Sequence, residues 1–230
     1  MTLHLLSGGA AQGLVGRLGA AFTRDSGHAI DGSFGAVGIQ RDKLLAGAPC
    51  DVVILTRALI AQLQAEGHVQ AGSARDLGAV ATGVAVKAGT PPPRVDDAAS
   101  LKAALMAARG IYYPDPVKAT AGIHFMKVMQ SLGVDSANAQ ALRPHPNGNA
   151  AMGAMAACDE AGLIGCTQVT EILFTPGVNL VGLLPREFEL LTVYTAAVCT
   201  RVAHPQAAAD LVARLAGDAA ADVRRACGFS

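Results

Sequence analysis

The stretch Gly47-Ala48-Pro49-Cys50-Asp51-Val52-Val53-Ile54-Leu55-Thr56 decides the fold class of this chain. A Gly-x-Pro turn precedes an apolar run of β-branched residues, and the run ends in a hydroxyl group. Such a run is typical of a buried parallel strand. Because open α/β sheets bind their ligands at the carboxyl edge of the strands, the pattern places Thr56 where a ligand would bind.

Strands and helices alternate on both sides of this segment. The predicted strands are 3–6, 28–34, 51–55, 77–86, 110–113, 142–143, 163–166 and 190–199, and the predicted helices are 10–23, 37–45, 57–66, 97–109, 120–132, 150–161, 205–216 and 219–227. The order of the first elements predicts a doubly wound sheet. The apolar stretches 77–86 and 190–199 can serve as crossover strands into a second lobe and back.

Composition excludes several classes of partner. Eighteen basic and eighteen acidic residues balance, so no basic field attracts nucleic acid or an anionic membrane. Aromatic residues are 4% of the chain and Trp is absent, which removes the usual platforms for stacking bases. No apolar run approaches the roughly 20 residues that span a bilayer. We therefore expect no nucleic-acid partner and no membrane insertion.

The N-terminus and the cysteines bear on the cellular compartment. The chain enters a strand at once, without the basic and apolar segments of a signal peptide. Its five cysteines are an odd number without the spacing of a disulfide framework. These features predict a cytoplasmic protein, or a periplasmic one if a signal peptide has been removed.

Motifs for a metal or a cofactor are absent. The histidines are scattered, and no Cys-x-x-Cys pair is present. The glycines do not form a dinucleotide fingerprint or a phosphate-binding loop, and no Gly-x-Ser-x-Gly elbow exists. We expect neither a metal nor a cofactor.

Several segments resemble the molybdate-type solute-binding proteins. Residues 47–56 resemble the GAPADV(V/F)I signature of that family, and residues 113–122 resemble its (A/D)-D-P-x-x-x-P-A-G segment. Residues 163–168 resemble its VGIVY strand, and residues 33–40 lie where its second loop is found. Residues 193–198 and 207–229 resemble its return strand and its closing helices. The resemblance implies an α/β protein with the two-lobed type 2 periplasmic-binding-protein fold. Each lobe would be a doubly wound sheet, 1–80 with 197–230 and 81–196, joined by two crossover strands.

The resemblance also implies a small anion in the cleft between the lobes. In that family, serine hydroxyls and backbone N–H groups at helix N-termini hold a tetrahedral oxyanion. Here Ser7 matches the first hydroxyl position, Val37-Gly38 replaces a serine pair, and Gln168 stands where a tyrosine is usual. The candidate ligand-binding residues are Ser7, Gly8, Gly9, Ala36, Val37, Gly38, Thr56, Lys118, Thr120, Arg143, Asn149 and Gln168. The missing hydroxyls favour a small carboxylate over molybdate.

The same residues also have simpler interpretations. Ser7-Gly8-Gly9 equally suits a plain strand-to-helix turn. Asn149 is a good cap for a helix whose start could accept an anion, while Asn147-Gly148 also suits a simple hairpin-like loop. Lys118, Arg143 or Arg57 could supply the positive charge that balances an anionic ligand. Alternatively, Lys118 and Arg143 are simply solvated.

Two side chains are candidates for acid–base chemistry. His124 lies four residues after Thr120, so both can face one side of a helix start. Cys166 ends a strand near the expected ligand, and its thiol could carry a proton if its pKa were lowered. The alternatives are a packed, hydrogen-bonded histidine and a small buried hydrophobe.

Three functions remain open. The resembled family has an enzymatic relative, aconitate isomerase, which moves a proton allylically in a tricarboxylate. The absent signal peptide and the lost serines favour an intracellular isomerase of this kind, so an enzyme is the preferred prediction. The alternatives are the substrate-binding component of a molybdate-type ABC transporter, with a permease as partner if the protein is exported, and a cytoplasmic ligand sensor.

Overall fold

The computed structural model describes all residues from Met1 to Ser230, which form two compact units. Unit 1 comprises Met1–Val80 and Thr192–Ser230, and unit 2 comprises Ala81–Leu191. The chain returns to unit 1 at Thr192 and not at the predicted residue 197. The reason is that the last strand pairs over Tyr194–Val198 with a strand of unit 1.

Nine strands form a mixed sheet structure. They are β1 Thr2–Gly8, β2 Ala29–Gly35, β3 Val52–Thr56, β4 Arg75–Lys87, β5 Gly110–Pro114, β6 Leu142–His145, β7 Leu163–Gln168, β8 Val178–Leu183 and β9 Leu191–Val198. Strand β4 begins in unit 1 and ends in unit 2, and β9 begins where the chain returns. These two strands are the predicted crossovers.

Ten α-helices accompany the strands. They are α1 Gln12–Ser26, α2 Val37–Leu45, α3 Arg57–Ala65, α4 Ala98–Ala107, α5 Thr120–Leu132, α6 Val134–Ala137, α7 Gly148–Ala157, α8 Val169–Phe174, α9 Pro205–Ala216 and α10 Ala221–Ala226. Helices α2, α5 and α9 have the predicted bounds. Helices α6 and α8 were missed because their 4 and 6 residues are too few to show a period. No helix has both the length and the apolar character needed to cross a membrane.

Unit 1 is built on the strand order β2-β1-β3-β9. Strand β1 runs parallel to β2 and β3, and β9 is antiparallel to β3. The carboxyl ends of β1, β2 and β3 therefore lie at one edge, where Gly8 is opposite Gly35 and Ser7 is opposite Ile54. As predicted, β3 is a parallel strand, and Val52–Leu55 are completely buried.

Unit 2 is built on the order β4-β7-β5-β6, with β8 paired to β4. Strand β5 runs parallel to β6 and β7, so Pro114, His145 and Gln168 end at the same edge. Helices α5, α7 and α8 follow these three strands in turn. This edge therefore collects three helix starts.

The sheet of unit 2 buries an apolar cluster on each face. One cluster contains Phe125, Ile164 and Cys166, and the other contains Met152 and Leu163. Because side chains alternate along a strand, Thr167 shares the face of Leu163, and Gln168 shares the face of Cys166. The end of β7 thus presents one polar side chain to each face.

Candidate anion-binding sites at the sheet edges

In unit 1 the turn after β1 is packed against the start of α2. Ser7 is fully buried, and its Oγ donates a hydrogen bond of 2.9 Å to the carbonyl oxygen of Gly8. A Cβ atom on Gly8 would lie 2.9 Å from Val37 Cγ1 and 3.0 Å from Tyr194 Cε1. Only glycine leaves room for these contacts, so this turn is shaped by its neighbours as well as by its own sequence.

The start of α2 offers backbone donors. Ala36 is the N-cap residue in an extended conformation, and no side chain caps the helix. The first N–H groups of an α-helix have no partner inside the helix and favour an anion. Val37 and Gly38 are the first two helical residues, so the predicted loop lies where such donors occur.

Thr56 ends β3 at the same edge and caps the next helix. Its Oγ1 accepts a hydrogen bond of 3.4 Å from the N–H of Leu59. The adjacent Arg57 forms an ion pair with Asp76, which also accepts a hydrogen bond of 2.6 Å from Thr195 Oγ1. The hydrogen bond from Arg57 lowers the pKa of Asp76. Arg57 therefore has a carboxylate partner within unit 1.

In unit 2 the turn from β5 to α5 is equally tight. Asp115 Oδ1 accepts hydrogen bonds of 2.7 Å and 2.8 Å from the N–H groups of Val117 and Lys118. No side chain caps α5, and Thr120 is its first residue. The predicted positions 118 and 120 thus flank an uncapped helix start, which is a potential donor site for an anion.

His124 lies one turn into α5 and is half-buried. Its Nε2 is 2.8 Å from the carbonyl oxygen of Phe188. Because a carbonyl can only accept, Nε2 carries the hydrogen, and Nδ1 is the ring nitrogen that can take up a proton. The arrangement fits both the packed histidine and the acid–base residue that the sequence allows.

A buried carboxylate that the sequence reasoning missed lies at the start of α7. Glu171 is 5% exposed, and Thr167 Oγ1 donates a hydrogen bond of 2.5 Å to its Oε2. The backbone N–H groups of Gly148, Asn149 and Gln168 also donate to this carboxylate. The helix start where an external anion was expected therefore holds an anion of the protein itself.

The local sequence explains this arrangement. Asn147, and not Asn149, caps α7, because its Oδ1 accepts a hydrogen bond of 2.9 Å from the N–H of Ala150. A Cβ atom on Gly148 would lie 1.9 Å from Glu171 Oε2 and 2.1 Å from Thr167 Oγ1. Glycine at the first helical position lets the carboxylate approach the backbone.

Burial dominates the titration of Glu171. Loss of solvation raises its pKa to about 7, although the hydroxyl of Thr167 and the three backbone N–H groups favour the charged form. A carboxyl group with such a pKa exchanges its proton near neutral pH.

This pKa has a consequence for stability. The folded state favours the protonated form of Glu171, so its contribution is complete below the ordinary pKa of 4.5 and is lost as the pH rises to about 7. Between these limits the free energy of unfolding of the wild type should fall by up to about 3 kcal/mol more than that of Glu171→Gln. Urea denaturation over this pH range measures the difference. The exposed Glu160→Gln is the control, and parallel curves for wild type and Glu171→Gln would contradict the prediction.

Two predicted site residues are not at the edge. Cys166 is completely buried among apolar side chains, and burial raises the pKa of its thiol well above the ordinary value. Arg143 is exposed and donates to the carbonyl oxygens of Gln140 and Leu142. We therefore propose neither a proton-carrying role for Cys166 nor a ligand contact for Arg143.

The remaining candidates fall into two groups. Residues 7–9, 36–38 and 56 share the carboxyl edge of the sheet in unit 1. Residues 118, 120, 149 and 168 share the corresponding edge in unit 2.

The spacing of Thr167 and Glu171, four residues apart across a strand end, was the one sequence signal for the missed carboxylate.

Comparison with known proteins agrees with this architecture. The family model described as bacterial extracellular solute-binding protein matches residues 3–230. The aconitate isomerase of a Pseudomonas species is 29% identical in an alignment of 231 positions that covers 96% of this chain and 84% of that protein.

Solved structures show the same fold. The periplasmic molybdate-binding protein of Azotobacter vinelandii superposes with a TM-score of 0.79 at 21% identity, covering 99% of this chain and 98% of that one. The sulfate-binding protein SubI of Mycobacterium tuberculosis superposes with a TM-score of 0.76 at 18% identity, covering 100% of this chain and 86% of that one. At these identities the likeness establishes the two-lobed fold.

Proposed function

The chain belongs to the family of bacterial extracellular solute-binding proteins, and on that premise we propose that it binds a small anion, either an oxyanion or a di- or tricarboxylate. Uncapped helix starts at Val37 and Thr120 support this proposal, because each offers backbone donors without a competing side chain. Neutral backbone donors at these two helix starts suit a ligand that is recognised by hydrogen bonds.

The preferred ligand is a carboxylate, and the preferred activity is its isomerisation. The observation that carries this proposal is the likeness to aconitate isomerase along almost the whole chain. In an allylic shift a base removes a proton beside the double bond, the double bond moves by one position, and the proton is returned at the far carbon. His124 Nδ1 would transfer the proton, and helix N-termini would stabilise the charge that develops on the carboxylate.

The substrate-binding component of an ABC transporter is the second candidate. Its support is the fold that the chain shares with molybdate- and sulfate-binding proteins. Fold alone does not separate a receptor from an enzyme, since the same scaffold hosts both. An exported receptor would require a permease as its partner.

Ligand binding and turnover separate these candidates. Thermal shift and calorimetry with cis-aconitate, trans-aconitate, molybdate and sulfate should show that a carboxylate stabilises the protein more than molybdate does. Proton NMR should then detect interconversion of the aconitates. Tight molybdate binding without any isomerisation would contradict the enzyme and favour the receptor.

A further inference from the structure

We propose that Glu171 is a specificity-determining residue of the anion site in unit 2, where it acts as an internal anion, so that a ligand anion binds there only together with a proton. The inference rests on the proposed function, because it concerns the edge that carries Asn149 and Gln168. It assigns a role to a buried acid that neither anion binding nor the proposed proton shift uses.

The geometry makes Glu171 a built-in competitor for the ligand. Its carboxylate receives the N–H groups of Gly148 and Asn149, the first two residues of α7, which are the donors that such a helix offers to an anion. It also receives the N–H of Gln168 and the hydroxyl of Thr167 at the end of β7. One carboxylate thus accepts hydrogen bonds from both the start of α7 and the end of β7.

No neighbouring charge balances this carboxylate. Helices α7 and α8 and strand β8 carry no titratable side chain besides Glu171 itself. On β7, Cys166 belongs to the cluster on the opposite face of the sheet. On β6, Arg143 binds backbone carbonyl oxygens, and His145 stacks on Tyr112 of β5, where burial lowers the pKa of His145.

The electrostatic consequence follows from this isolation. A ligand anion brought to the same edge repels the charged form of Glu171 and raises its pKa further. Protonation relieves the repulsion, and by linkage proton uptake strengthens ligand binding. Starting from a pKa of about 7, affinity should fall with rising pH, approaching a roughly tenfold loss for each pH unit well above that value.

The same acceptor sets the chemical class of the ligand. A charged carboxylate in the site accepts a hydrogen bond from a ligand that still carries a proton, such as a hydroxyl or a protonated carboxyl group. A fully deprotonated ligand such as molybdate supplies no hydrogen, so Glu171 itself must take up the proton when such an anion binds. The structure therefore favours a polycarboxylate that binds with a proton.

Calorimetry in two buffers of different ionisation enthalpy tests the proposal. Cis-aconitate and molybdate are titrated into the wild type, Glu171→Gln and the exposed control Glu160→Gln, at about pH 7 and about pH 8, where linkage predicts a roughly fivefold difference because half of Glu171 is still protonated at the lower value. The wild type and the control should take up a proton with cis-aconitate and lose affinity at the higher pH. Glu171→Gln should take up none, bind with the same affinity at both values, and accept molybdate better.

Thr167→Val gives an independent readout if Glu171→Gln does not fold. Removal of one donor to the charged form raises the pKa of Glu171, so the midpoint of the affinity profile should move to higher pH. Binding without proton uptake, or uptake that persists in Glu171→Gln, would overturn the inference while the proposed function stands. Failure of every ligand to bind the wild type would overturn both.

Discussion

Gly122→Ala should destabilise unit 2 by about 3 kcal/mol or more, at or beyond the upper end of the usual cost of overpacking. The added Cβ atom would lie 2.2 Å from the carbonyl oxygen of Pro114 and 2.3 Å from that of Asp115. Both are backbone atoms, and they cannot move without shifting the start of α5 relative to β5. Denaturation in urea, followed by circular dichroism, should show a lower midpoint for the transition of unit 2.

Gly153→Ala is the matched control within the same unit. Gly153 lies inside α7, and no heavy atom lies within 4 Å of the position of its Cβ. Alanine is the better helix former, so this substitution should raise the free energy of unfolding by up to about 1 kcal/mol. Equal effects at both positions would contradict the steric explanation.

These two glycines show what the sequence can and cannot predict. Both stand in segments with helical character, and no local pattern distinguishes them. The difference arises from the tight turn at Asp115, which presses the first turn of α5 onto the end of β5. Contacts between two segments that are joined by a tight turn depend on how the segments pack in three dimensions. Helix bounds such as 120–132 instead follow from the periodicity of the sequence.

The fold itself was predictable because long patterns carry it. The apolar run of β3 and the stretch that becomes β4 are recognisable by length and by β-branched content. The short strand β8 was missed, since it follows a six-residue helix after only three residues and half of its own residues are exposed. Its pairing with β4 is a long-range contact that no local propensity encodes.

The places of the candidate residues in the fold were predictable, and their contacts were less so. Ser7 and Thr56 reach the predicted edge, yet Ser7 bonds to the backbone of Gly8 and Thr56 caps α3. Asn147 and Asn149 both suit a helix cap, and a shift of two residues changes which groups face the carboxylate. The role of Glu171 at the start of α7 depends on its contact with Gly148, which is distant in sequence, so no local pattern predicts it.

His124→Gln should lower the turnover of aconitate roughly 10²- to 10⁴-fold, the usual range for loss of a general acid–base group. Its ligand dissociation constant should change little, because an acid–base residue acts in the transition state. The glutamine amide can still donate to the carbonyl oxygen of Phe188, so the packing bond of 2.8 Å is retained while the proton carrier is removed. Proton NMR in heavy water measures both interconversion of the aconitates and incorporation of deuterium.

The control for this variant is His4→Gln, which makes the same change at an exposed hydrogen bond to Asp31 in unit 1. It should leave turnover at the wild-type level. If His124→Gln also retained full turnover and deuterium exchange, the histidine would be a packing residue and the proton shift would need another group. A parallel loss of binding and turnover would instead assign His124 to holding the ligand, because uniform binding contributes equally to ground and transition states.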